Sequence, residues 1–158
     1  MNKSIQLVSL IALLTLGGCA SNNASTSTSK LEEPPVYDKI DIDMTTMNET
    51  KLSLTYDSFF TDPSYYKDKI VKVAGPFQPS PSNDENYCYP AIFLFKDSTG
   101  CCDYGLEFLL YDVPRCSMAG GNGYPLYDEQ AVIVGRFEKY YEGGSLWVHL
   151  VDALWLKD

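Results

Sequence analysis

The sequence predicts a mainly β protein, a small five-stranded Greek-key barrel of the OB type with a short N-terminal helix, and three observations carry that prediction. From about Asn48 onward, β-branched and aromatic residues recur in five short runs divided by turn chemistry. Asp68, Gly75 and Phe77 in the first run are matched, at the same spacings of seven and two, by Asp128, Gly135 and Phe137 in the fourth. A long glycine-rich stretch, Met118 to Pro125, separates the third run from the fourth and supplies the long connection such a barrel needs.

The first eighteen residues stand apart from the fold. Lys3, the apolar run Ile5 to Leu16 and then Leu16-Gly17-Gly18-Cys19 read as an export signal. The run is twelve residues long, against about 20 for a helix that crosses the hydrocarbon core. The small residues before Cys19 resemble the bacterial lipobox, which implies diacylglycerol on the Cys19 thiol and cleavage before it; the plainer reading is an ordinary signal peptide with a cysteine near its cut. Acyl chains at about 0.8 kcal/mol per buried CH₂ anchor a protein without help from basic residues. Ala20 is not the Asp that resembles an inner-membrane retention signal, so the expected address is the outer membrane in a Gram-negative host, or the outer face of the cell membrane in a Gram-positive one. Residues 19–47 are then a lipidated cysteine and a flexible tether, rich in Ser, Thr, Asn and Glu around Pro34-Pro35 and too poor in bulky apolar groups to offset their ordering entropy.

Residues 48–158 are the expected barrel domain. Leu52 to Phe60 reads as the helix, stopped near Asp62-Pro63 because the residue before a proline is pushed out of the α region. The strand runs are Lys69 to Phe77, Tyr87 to Lys96, Tyr104 to Tyr111, Gln130 to Tyr140 and Ser145 to Leu156. In the third, Leu106, Phe108 and Leu110 alternate with Glu107, Leu109 and Tyr111. Glu142-Gly143-Gly144 suits a hairpin between the last two. Gly75 and Gly135, inside strands, mark bulges or bends at barrel corners.

Three stretches together carry a resemblance: Tyr65-Tyr66-Lys67-Asp68-Lys69-Ile70-Val71-Lys72-Val73-Ala74-Gly75-Pro76-Phe77, Lys96 to Phe108 with its Cys101-Cys102-Asp103-Tyr104-Gly105-Leu106-Glu107-Phe108, and Val134 to Glu142. They resemble a group of small bacterial lipoproteins with an OB-like domain, over roughly Thr55 to Leu156. The adjacent cysteines are also similar to a pair in the soluble domain of a permease-associated bacterial family, although Asp103-Tyr104-Gly105 stands where that family tends to have Ala-Asp-Ala. Neither resemblance implies a biochemical activity.

Apart from Cys19, the cysteines are Cys88, Cys101, Cys102 and Cys116, an even number that in an exported domain points to disulfides. On an extended segment Cys101 and Cys102 point to opposite sides, so the expected connectivity joins one to Cys88 and the other to Cys116. Each bridge would close a loop of roughly fifteen residues, worth about 3 kcal/mol. A strained Cys101–Cys102 ring is the redox alternative. The other competitor is a zinc or copper site on these thiolates, with His149 and Glu107 completing the set. No Cys-x-x-Cys spacing supports it, so no cofactor is expected, and His149, in a strand beside Trp147 and Val151, reads first as a hydrogen-bonded structural imidazole.

The chain has twelve basic and twenty-one acidic residues for a formal charge of −9, and removing the signal takes away one lysine and no acid. Nucleic acid is therefore not an expected partner, since phosphate binding needs clustered Lys and Arg. Twelve tyrosines, including the pairs Tyr65-Tyr66 and Tyr140-Tyr141, suggest exposed aromatic groups that stack on bases or sugars, against the plainer role of filling barrel rims. In each pair one ring is expected to face the core. Tyr140 and Glu107 join His149 as candidate ligand-facing residues, with Glu107 otherwise a polar residue on the outer face of its strand. A single His and the lack of any Gly-x-Ser-x-Gly, phosphate loop or His-Glu-x-x-His leave no catalytic constellation. The expectation is a lipid-anchored extracytoplasmic binding or interaction module, whose partner is an envelope protein or a small ligand, with a cysteine-based metal or redox protein as the alternative.

Overall fold

The computed structural model describes residues 33–82, 88–96, 103–114 and 116–157. The export signal, Cys19, Cys101 and Cys102 lie outside the described residues. The protein is mainly β. Its elements are β1 (Ile42–Asp43), a 3₁₀ turn (Met44–Thr46), α1 (Glu49–Thr61), α2 (Pro63–Tyr66), β2 (Ile70–Pro76), β3 (Ser80–Pro81), β4 (Cys88–Tyr89), β5 (Ala91–Lys96), β6 (Asp103–Leu110), β7 (Gly120–Gly121), β8 (Tyr124–Leu126), β9 (Gln130–Glu142) and β10 (Ser145–Leu156).

Six of these strands form one curled sheet in the order β1-β2-β9-β10-β6-β5. The β6 and β10 pair is parallel, and β2–β9, β9–β10 and β5–β6 are antiparallel. The curl brings β5, at one edge, towards β2, which lies one strand in from the other: Phe77, just past β2, bridges Ile92 of β5, and the Gln78 N–H donates to the Ala91 carbonyl at 2.9 Å. Gly75 makes that approach possible, because a Cβ there would lie 2.1 Å from the Phe93 carbonyl oxygen. The expected bend at Gly75 is thus a close crossing of two backbones, since β2 stays in register with β9 throughout. Gly135 instead faces an irregularity in β10 between Val151 and Leu154, and a Cβ there would meet Leu150 Cβ at 2.9 Å and Ala153 Cβ at 3.0 Å.

The internal repeat becomes a hydrogen-bonding pattern with two-fold character along β2 and β9. At one end the Phe77 N–H donates to the Glu129 carbonyl and the Asp128 N–H to the Phe77 carbonyl; at the other, the Phe137 N–H donates to the Lys69 carbonyl and the Asp68 N–H to the Phe137 carbonyl. Asp68 and Asp128 both take left-handed φ, 62° and 65°, a conformation a short polar side chain tolerates. Phe77 and Phe137 are both fully buried and anchor opposite ends of the core. Phe137 packs on Phe59 of α1, ring centroids 4.9 Å apart, and Phe77 and Phe108 lie against Tyr124 of the β7–β8 hairpin. That hairpin occupies the glycine-rich stretch expected to be only a connection.

Four further expectations change. The sheet has six strands, and the sixth, β1, comes from residues assigned to the tether: Ile42 pairs with Val71 and Met44 is buried. Ile40, Ile42 and Met44 alternate with polar residues, a period-two signal hidden among aspartates. The helix is longer, capped by the Asn48 side chain on the Lys51 N–H, and the chain turns helical again at Pro63, where Asp62 caps the Tyr65 N–H and proline suits the first helical position. The second strand run is cut at the buried Pro90, which has no N–H for a ladder: β4 pairs with β3, and only β5 joins the main sheet. Finally, Cys88 pairs with Cys116, Cα atoms 5.6 Å apart, in place of the expected links to Cys101 and Cys102. The folded path sets Cys88 and Cys116 together, although 28 residues separate them.

Candidate functional site

The outward positions of β6, β9 and β10 build one polar and aromatic face. Phe108, Phe137 and Leu150 turn inward and are fully buried, so their neighbours at odd offsets turn out. Register then sets His149 opposite Glu138 on one side and Glu107 on the other, and Trp147 opposite Tyr140. The three candidate residues Glu107, Tyr140 and His149 therefore meet. The Tyr140 hydroxyl donates to Glu107 Oε2 at 2.6 Å, and the Tyr140 and His149 rings lie 4.5 Å apart. His149 Nε2 stands 3.8 Å from Glu138 Oε2. At the hairpin end of the face the Tyr89 hydroxyl donates to Glu142 Oε1 at 2.8 Å, and Trp147 is half exposed.

Burial and the neighbouring carboxylate push the Tyr140 phenol well above its ordinary range, so it stays protonated and acts as a donor. Burial lowers the His149 pKa more than Glu138 raises it, which keeps the imidazole neutral at pH 7. The arrangement offers fixed donors, carboxylate acceptors and ring faces. Beyond Glu138 the row ends in a tight junction: Arg136 donates to Asp152 at 2.9 Å and to Asp68 at 3.1 Å, and the Tyr37 hydroxyl donates to the Asp152 carbonyl. Asp152 has φ 50° at the irregularity in β10, so this junction ties the N-terminal segment to the sheet.

The first tyrosine pair divides between core and solvent as expected, though not on a strand, and the second does not. Tyr66 packs on Phe59 and Phe137 while Tyr65 is exposed, but the pair is helical. Tyr141 has the inward parity of Phe137 yet is 69% exposed, because β9 runs on past Arg136, the last residue in register with β2. Trp147, Glu138 and Glu142 were not singled out from sequence; each lies two residues from Tyr140 or His149, and that alternation is the signal that finds them. Among the described residues no group of three His, Cys, Asp or Glu side chains is placed to hold a metal ion. No protein-family model matches the chain, and neither a curated protein nor a solved structure is significantly similar to it.

Proposed function

We propose that the chain is an exported, lipid-anchored binding module, built on an OB-like Greek-key barrel and working through the outer face of β6, β9 and β10. The barrel reading is supported by the cyclic order β2-β9-β10-β6-β5, by its one parallel pair, and by the bridge that returns β5 to β2. The binding reading rests on one observation: Glu107, Tyr140 and His149, distant in sequence, meet on a single outward face with a half-exposed tryptophan beside them. Rigid strands hold these groups, as a preformed binding surface requires. The cysteines are structural in this reading, and the pairing of two buried residues, Cys88 and Cys116, supports that.

Trp147 and Trp155 are the two tryptophans, so a Trp155→Phe background makes Trp147 the reporter. Neutral oligosaccharides, short peptides and other small envelope components are titrated against its fluorescence. The expected result is a ligand that changes the emission and binds about tenfold more weakly to Tyr140→Phe. Ligands that bind with no change in Trp147 emission and full tolerance of Tyr140→Phe would place recognition elsewhere. The anchor is tested separately: Cys19→Ala should accumulate as unprocessed precursor, and normal maturation of that variant contradicts lipidation.

A further inference from the structure

A second feature lies apart from this face. Residues 40–43, α1, α2 and the start of β2 enclose an open groove of about 510 Å³, lined among others by Lys51, Thr55, Tyr65, Tyr66 and Lys69. A volume of that order suits a small molecule. In a protein with 21 acidic and 12 basic residues, carboxylate partners for lysine are plentiful. Lys39 finds Asp41 at 2.6 Å, Lys72 finds Asp43 at 3.9 Å and Arg136 finds Asp68 and Asp152. Lys51 and Lys69 contact no carboxylate among the described residues, yet both line this one groove. The Lys69 ammonium lies 3.2 Å above the Tyr65 ring and 5.3 Å from the Tyr66 centroid, which places it over an aromatic wall.

The two acids of the groove are already engaged. Asp41 takes Lys39 on one oxygen and the Ile70 N–H on the other; Asp43 takes the Thr45 N–H and hydroxyl on one oxygen and faces Lys72 with the other. Lys39 and Lys72 meet these acids from outside the cleft, and Lys69 adds to the positive field on Asp41 without touching it, so neither Lys51 nor Lys69 is held in a carboxylate contact. Ile40, Ile42 and Met47 supply apolar lining beside them. We infer that this groove binds a small organic oxyanion, a phosphate or carboxylate carried on an aliphatic or aromatic body, with Lys51 and Lys69 holding the oxyanion and Tyr65 and Tyr66 flanking the body. Lysine serves such groups as a point charge, and ring faces with apolar side chains cover the remainder. The oxyanion could be that of a free metabolite-sized anion or of an anionic lipid headgroup.

The test titrates the full chain, solubilised in a zwitterionic detergent, with phenyl phosphate and follows backbone amides by NMR; phosphatidylglycerol and phosphatidylcholine vesicles form a second arm. The expected result is perturbation of the Lys51, Tyr65 and Lys69 amides, with binding weakened about tenfold or more by Lys51→Gln and by Lys69→Gln. Lys67→Gln, an equal charge change at an exposed lysine outside the groove lining, should leave affinity within about twofold. Response to phosphatidylglycerol alone, with the same dependence on Lys51 and Lys69, keeps the oxyanion site and identifies a headgroup as its source. Absence of perturbation in both arms, or an equal loss in Lys67→Gln, overturns the proposal. Spectral dispersion identical to the parent confirms that each variant is folded.

Discussion

Replacing Gly75 with alanine tests how tightly the curled sheet closes. The new Cβ would start 2.1 Å from the Phe93 carbonyl oxygen and 3.0 Å from Ile92 Cγ2, whereas carbon and oxygen come no closer than about 3.3 Å even in favourable contacts. The first obstacle is backbone, so β2 and β5 must separate by roughly 1 Å. That movement stretches the Gln78 N–H bond to Ala91, now 2.9 Å, at a loss of about 1 kcal/mol. Overpacking adds about 1 to 3 kcal/mol, and the stiffer unfolded chain returns roughly 0.5 to 1 kcal/mol. The net expectation is a loss of about 1 to 3.5 kcal/mol, or roughly 3 to 14 °C in Tm for a domain of this size. Urea unfolding read by tryptophan fluorescence, with calorimetry, measures both. Gly143→Ala is the internal comparison: its φ is 58° and nothing lies within 4 Å of a Cβ there, so it costs only the left-handed strain of about 1 kcal/mol. If Gly75→Ala loses less than Gly143→Ala, β2 and β5 are not in contact and the closure described above is wrong.

Non-reducing peptide mapping should recover Cys88 linked to Cys116, and Cys116→Ser should cost about 3.5 kcal/mol from the loop their 28-residue separation closes; a Cys88 link to Cys101 or Cys102 refutes that pairing. His149 has a lowered pKa when folded and 6.5 as its ordinary value, so the unfolded state binds the proton more readily, and stability present above pH 6.5 should fall as pH drops below it. His149→Gln should flatten that part of a stability profile measured from pH 7.5 to 5; an unchanged slope assigns it to other groups. Tyr140→Phe removes the donor to Glu107 and should lower stability by about 1 kcal/mol in thermal unfolding, and a neutral result would mean that water replaces the phenol without loss.

Legibility followed the range of the interactions. The inward turn of Leu106, Phe108 and Leu110 was readable because side-chain direction in a strand depends only on parity. The repeat of Asp68, Gly75 and Phe77 in Asp128, Gly135 and Phe137 was visible, but the reason for each glycine was not. At Gly75 it is another strand's backbone and at Gly135 the side chains of β10, and neither is near in sequence. Glu107, Tyr140 and His149 could be chosen singly for their chemistry, while their convergence depends on a parallel register between β6 and β10 that no local pattern encodes.

By itself the sequence determined the properties that act over one or two turns of chain: the strand runs, the glycine hairpin, the helix stop before Pro63 and the sign of the net charge. Tertiary structure decided what needs two distant segments to meet. It drew Ile42 and Asp43 out of the tether and into the sheet, joined Cys88 to Cys116, and set Lys51 and Lys69 on one groove. The physical reason is that burial, pairing and electrostatic matching are energies of contact between segments, and a single strand's residues carry only half of each.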